Sequence, residues 1–136
     1  MPIPSQFEVA PNRFHGTWCF PITLSSITAA GDVVTDITPG FAGAIKKLYW
    51  VQGVPVTTAA KAATLNLEVN ALDLAGGTIA LTSAACTPLG KVIASAAITG
   101  SNRFDADDTI SVEAASVTAF AEGSGVLLVE YEGKVL

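Results

Sequence analysis

Few residues in this chain have both the type and the spacing that chemistry requires. The single histidine, His15, has no serine, cysteine or carboxylate at a catalytic spacing beside it, so it is expected to serve packing or the surface. Cys19 and Cys86 lie far apart, outside any CxxC or Cys/His pattern. They are expected to be buried free thiols rather than zinc ligands, with a disulfide as the alternative. Asp105, Asp107 and Asp108 form the densest acidic group. They lack the turn glycine and the closing glutamate of a calcium-binding loop, so a solvated turn is the expectation. Gly123-Ser124-Gly125 reads as a turn, without the lysine and helix of a phosphate cradle. No dinucleotide, P-loop, nucleophile-elbow or zinc-protease motif occurs. Trp18, Tyr49 and Trp50 could stack sugars or bases if they shared an exposed surface, although strand aromatics more often anchor a core or an interface. These residues point to a non-enzymatic protein with no cofactor and no metal.

The elements that would position them are strands. The pattern closes on residues 108–131, where Ile110, Val112 and Ala114 alternate with Ser111 and Glu113, the period of a half-buried strand. After Gly123-Ser124-Gly125, the consecutive Val126, Leu127, Leu128 and Val129 predict a strand at the centre of a sheet. Earlier strands are expected over 17–24, 33–38, 41–51, 64–69, 78–82 and 92–98. Pro21 restricts the first of these to an edge. Residues 41–51 place Lys46 and Lys47 on opposite faces if they simply alternate, which fits neither an edge nor a central strand. Residues 54–57 read as a continuation or a separate short strand, 58–63 as a loop, 83–90 as a short helical turn and 100–108 as a polar loop. Eight or nine short strands at this spacing predict a single-domain antiparallel β-sandwich, jelly-roll-like, over 17–136. Residues 1–16, with Pro2, Pro4 and Pro11, predict an extended N-terminal arm that docks on a neighbour through Phe7, Val9 and Phe14.

Composition bounds the partners. With 136 residues the chain can bury a core without staples. Half of its residues are hydrophobic and only 14% are charged, so apolar surface should remain for assembly with other subunits. No apolar run reaches the ~20 residues of a membrane helix. The net charge of −5 and the absence of a basic cluster argue against direct nucleic-acid binding. The start, MPIPSQFEV, lacks the layout of a signal peptide, which predicts a cytoplasmic site of synthesis.

Three stretches carry a family likeness: FAGAIKKLYWVQGVPVT, GGTIALTSAACTPLGKVIASAAITGSNRFDADDTISVEA and TAFAEGSGVLLVEYE. From Phe41 onward the chain resembles small head decoration (cement) proteins of tailed bacteriophages. Residues 1–40 carry no part of the likeness. The resemblance implies a structural protein made in the bacterial host cytoplasm. It would bind the major capsid protein on the outer surface of the virion, commonly as a homotrimer, and stabilise contacts between capsomers. The alternative expectation is a carbohydrate- or receptor-binding sandwich of a head fibre or tail, using Trp18, Tyr49 or Trp50.

Overall fold

The computed structural model describes residues 13–134. Its strands are β1 (Arg13–Thr23), β2 (Gly31–Ile37), β3 (Ala42–Val54), β4 (Ala62–Val69), β5 (Leu72–Asp73), β6 (Ile79–Thr82), β7 (Val92–Ala94), β8 (Arg103–Phe104), β9 (Ile110–Thr118) and β10 (Ser124–Lys134). They form two antiparallel five-stranded sheets packed face to face. Sheet A runs β1-β10-β3-β7, with β8 also on β3; sheet B runs β2-β9-β4-β5, with β6 also on β4. The first strand pairs with the last and the second with the last but one, the nesting of a ribbon folded over on itself. The chain is an all-β sandwich, as its alternation predicts.

The core lies between the sheets. Leu65 and Leu67 of β4 and Ile110, Val112 and Ala114 of β9 point inward from sheet B; Leu127 and Val129 of β10 with Leu48 and Trp50 of β3 point inward from sheet A. Each fully buried leucine or isoleucine of this set contributes about 1.5–3 kcal/mol relative to an exposed one. β10 sits at the centre of sheet A, between β1 and β3. Val126 and Leu128, on its outer face, are half-buried rather than covered.

Several boundaries differ from expectation, each for a readable reason. The strand predicted from residue 17 begins at Arg13, so Arg13–Gly16 are not arm: they pair with Lys134, Gly133, Glu132 and Tyr131 of β10. Phe7 and Val9 lie outside the described residues. The lysine problem in β3 is solved by a bulge. Glu130 stands opposite Lys47 and Tyr131 opposite Ile45, which leaves Lys46 unpaired as an extra residue. That one-residue insertion resets the side-chain parity, so Ile45, Leu48 and Trp50 all face the core and both lysines stay exposed. The strand expected over 92–98 keeps only Val92–Ala94; past Ser95 the chain turns to the segment after β5, where Thr99 N–H donates to the Ala75 carbonyl at 2.8 Å. The loop 100–108 contributes β8, which pairs with Gly43 and Ala44. Within 83–90 the helical character is limited to turns, with Cys86 N–H donating to the Thr82 carbonyl at 2.9 Å.

Candidate interaction surfaces

The first candidate surface is the open side of the sandwich, where edge strand β1 of sheet A runs beside edge strand β2 of sheet B. On β1 the even-numbered residues turn inward, half-buried from Phe14 to Phe20 and buried at Ile22, while the odd-numbered ones are exposed. Inward-facing Phe14 and Trp18 join Phe41, Phe104 and Tyr131 in one aromatic cluster. Trp18 stacks on Tyr131 with ring centroids 4.6 Å apart, and Phe14 meets Phe41 at 5.1 Å. Two glycines make room for it: a Cβ on Gly16 would overlap the Tyr131 ring, and one on Gly133 would overlap Phe14. Beside the cluster an apolar cleft of about 410 Å³ opens between the sheets, lined by Thr17, Trp18, Cys19, Phe20, Ile37 and Ile110. Ile37 on its rim is 38% exposed.

The aromatic platform does not form. Trp50 is fully buried over Gly125, and its indole N–H donates to Gln52 Oε1 at 2.7 Å. Gln52 in turn donates to the Val54 carbonyl at 2.6 Å, so this buried polar side chain is satisfied at both ends. Trp18 belongs to the inward cluster. Tyr49 alone faces out, with the Lys47 ammonium 5.1 Å from its ring centroid. Phe14, expected to anchor the arm on a neighbour, packs instead into its own subunit. Tyr49 and Trp50 part by simple alternation along β3, whereas the inward packing of Trp18 depends on the cross-strand partners of β1, which local spacing did not reveal.

The second candidate surface is the outer face of sheet A, which the register divides into two halves. One half aligns Cys19, Leu128 and Tyr49 in one row, and Pro21, Val126, Val51 and Val92 in the next. This half carries no charge, and Val92 is 55% exposed. The other half carries Arg13, His15, Lys47, Glu130, Glu132 and Lys134. Arg13 donates to Glu132 Oε1 at 2.8 Å, and His15 Nε2 lies 3.9 Å from Glu132 Oε2.

The outer face of sheet B holds a group that spacing along the chain did not reveal. Asp32 of β2, Glu68 of β4 and Glu113 of β9 bring carboxylate oxygens within 4.8 Å of one another. Register assembles them: Glu113 stands opposite Asp32 and Asn66, and Glu68 opposite Ser111. Glu68 is 6% exposed, and Ser111 Oγ donates to its Oε1 at 3.1 Å. Its pKa is pushed up from 4.5 to about 7, first by burial, then by proton sharing with Glu113, with the Glu113 and Asp32 charges adding to the rise and Ser111 opposing it. Three carboxylates this close can share a cation or a proton, and the raised pKa describes the second. The outward period of β4 and β9 was the available signal, but only the pairing of three strands distant in sequence makes a cluster of it.

The remaining predicted groups are structural. Asp108 Oδ2 accepts from Asp105 N–H at 2.7 Å and Oδ1 from Asn70 Nδ2 at 2.8 Å, which fastens the turn before β9 and holds the Asp108 carboxyl below its ordinary pKa. Glu122 clamps the loop after β3 in the same way. It accepts from Thr57 N–H, Thr58 N–H and Thr58 Oγ1 at 2.7, 2.6 and 2.8 Å, and these donors lower its pKa. Both cysteines are free; Cys86 is buried, whereas Cys19, expected to be buried, is exposed on the outer face of β1. Burial pushes the Cys86 thiol up from 9.0.

No family model matches the chain, and no curated protein matches it. Among solved structures it is similar to a chain from the work "Bacillus endospore appendages form a novel family of disulfide-linked pili". The match has 13% identity, covers 92% of this chain and 90% of that one, and has a TM-score of 0.36. A likeness at that level carries no argument about what this chain does.

Proposed function

We propose that the chain is a non-enzymatic structural subunit that binds the outside of a bacteriophage head as a decoration protein and stabilises contacts between major capsid protein subunits. The observation that carries this reading is the open β1 side. An edge strand of eleven residues borders an apolar cleft whose rim residue Ile37 is 38% exposed. An edge of that length offers unpaired backbone groups to a partner strand, and the cleft beside it accepts apolar side chains. The family to which residues 41–131 are similar supplies the partner class. A subunit that binds only the expanded lattice stabilises that lattice in proportion to its affinity and concentration, and several equivalent contacts add avidity. The sugar-platform alternative is weakened, since Trp50 is buried and Trp18 faces inward.

The test uses expanded heads stripped of the protein. Wild type should co-sediment with them and raise the temperature of genome release. Ile37→Asp, which changes the rim without touching the fully buried core, should bind less. If wild type neither binds expanded heads nor shifts the release temperature at saturating concentration, the decoration reading is wrong.

A further inference from the structure

The charges of this chain are sorted by sheet. Five of its seven lysines and arginines stand on strands of sheet A: Arg13, Lys46, Lys47, Arg103 and Lys134. Only two carboxylates, Glu130 and Glu132, share those strands, leaving sheet A a net +3 in a chain whose overall charge is −5. The strands of sheet B carry five carboxylates, Asp32, Asp36, Glu68, Asp73 and Glu113, and no lysine or arginine. The sandwich is therefore a slab with one basic and one acidic side.

Each outer face is also divided along its length. On sheet A the basic half adjoins the uncharged half built on Tyr49, Leu128, Val126 and Val51. On sheet B the half around Asp32, Glu68 and Glu113 adjoins small uncharged residues, since Thr64 stands opposite Ala80 and Ala115, and Ala62 opposite Thr82. One face therefore offers cations beside apolar surface. The other offers carboxylates beside a smooth surface of alanine and threonine, against which the projecting side chains of the first can lie.

We infer that the outer face of sheet A docks on the outer face of sheet B of a second copy of this chain. The occupant is fixed by charge complementarity. A like-to-like contact through either face would set surfaces of the same net charge against each other, which is repulsive on balance; the unlike pairing is attractive and is favoured over both. Such a contact is heterologous: every copy that uses its basic face leaves its acidic face free, so the assembly grows until it closes into a ring or continues as a filament. It uses the broad faces and leaves the β1 edge unoccupied, and it stands whether or not the partner at that edge is a capsid.

The experiment measures the mass of the full chain by sedimentation velocity across a concentration series. Wild type should associate at low salt. The association should weaken about tenfold or more between ~0.1 M and ~1 M NaCl, as the screening length falls from ~10 to ~3 Å. Lys46→Glu/Lys47→Glu spoils the basic face and Asp32→Lys/Glu113→Lys the acidic one. All four residues lie outside the core, and far-UV circular dichroism checks that both variants fold. Each variant alone should be monomeric. Mixed, they should associate again into dimers or larger species, because the first retains its acidic face, the second retains its basic face, and the two reversed faces are themselves complementary. A wild type that stays monomeric throughout the series at low salt would overturn the inference. So would either variant alone assembling as wild type does, or a mixture that does not associate.

Discussion

Replacing Glu68 with glutamine tests whether the carboxylate cluster on sheet B strains the fold at neutral pH. In the native protein Glu68 is 6% exposed and holds its proton to about pH 7, against 4.5 for an ordinary glutamate. The folded state therefore binds this proton more tightly than the unfolded chain does. The favourable linkage is fully present below about pH 4.5 and is lost as pH rises toward 7. At about 1.4 kcal/mol per pKa unit, that gap sets a ceiling of about 3 kcal/mol. The group sits just beneath the outer surface of one sheet, where solvent screens it, so about 2 kcal/mol is the working expectation. Glutamine keeps an oxygen for the Ser111 hydroxyl and never ionises. Glu68→Gln should therefore match wild type near pH 4 and exceed it by about 2 kcal/mol at pH 8, a rise in Tm of about 4–8 °C for a chain of this size. Urea melts of both proteins at the two pH values supply the assay, and comparing variant with wild type cancels the titration of groups that do not interact with Glu68. A variant that is no more stable than wild type at pH 8, or one whose advantage is the same at both pH values, would refute the reasoning.

Other perturbations have equally direct readings. Gln52→Leu strips the acceptor from the buried Trp50 indole and should destabilise the domain by about 1–3 kcal/mol in a urea melt; an unchanged midpoint would mean that the Trp50–Gln52 bond contributes nothing. Gly133→Val places a side chain where the Phe14 ring lies, so it should cost about 1–3 kcal/mol or more and alter the near-ultraviolet aromatic signal. A maleimide should label Cys19 in the native protein within minutes and Cys86 only after denaturation; labelling of Cys86 in the native state would contradict its burial. Glu122 behaves oppositely to Glu68: its depressed pKa makes its contribution present above the ordinary 4.5 and lost as pH falls below it, so Glu122→Gln should loosen the loop at residues 57–58 at pH 7 and make little difference at pH 3, read by limited proteolysis or hydrogen exchange.

What the sequence made legible was local. The alternation of β4 and β9, the central place of β10, the edge position forced on β1 by Pro21 and the polar turn at Asp105–Asp108 all rest on spacing within a few residues, and the fold class follows from them. What it hid depends on pairings between distant segments. β9 and β10 are neighbours in the chain yet lie in different sheets. Their connection crosses the sandwich through buried Phe120 and through Gly123, whose φ of +109° and close approach to Val56 exclude a side chain. The sorting of charge between the sheets was equally hidden, because Glu68 and Glu113 read as ordinary outward residues and Lys46 and Lys47 as a conflict with alternation until strand pairing assigns each to a side.

The bulge at Lys46 shows how much turns on one such pairing. Were β3 to alternate without it, Ile45 would share a face with Tyr49 and point to solvent, and one of the two lysines would point into the core, at a desolvation cost of several kcal/mol. The extra residue is dictated by the partner, since β10 must keep both Val129 and Tyr131 on the inner face while Glu130 stays outside. The same insertion leaves two adjacent lysines exposed on one sheet, while Lys47 meets the Tyr49 ring by ordinary alternation along β3. The basic character of that face is thus a consequence of register and not of composition, in a chain whose overall balance is acidic. A partner recognised through this face would be missed by any argument from net charge, which is why the paired reversal of Lys46 with Lys47 and of Asp32 with Glu113 tests the surface more sharply than a change in pH or bulk charge could.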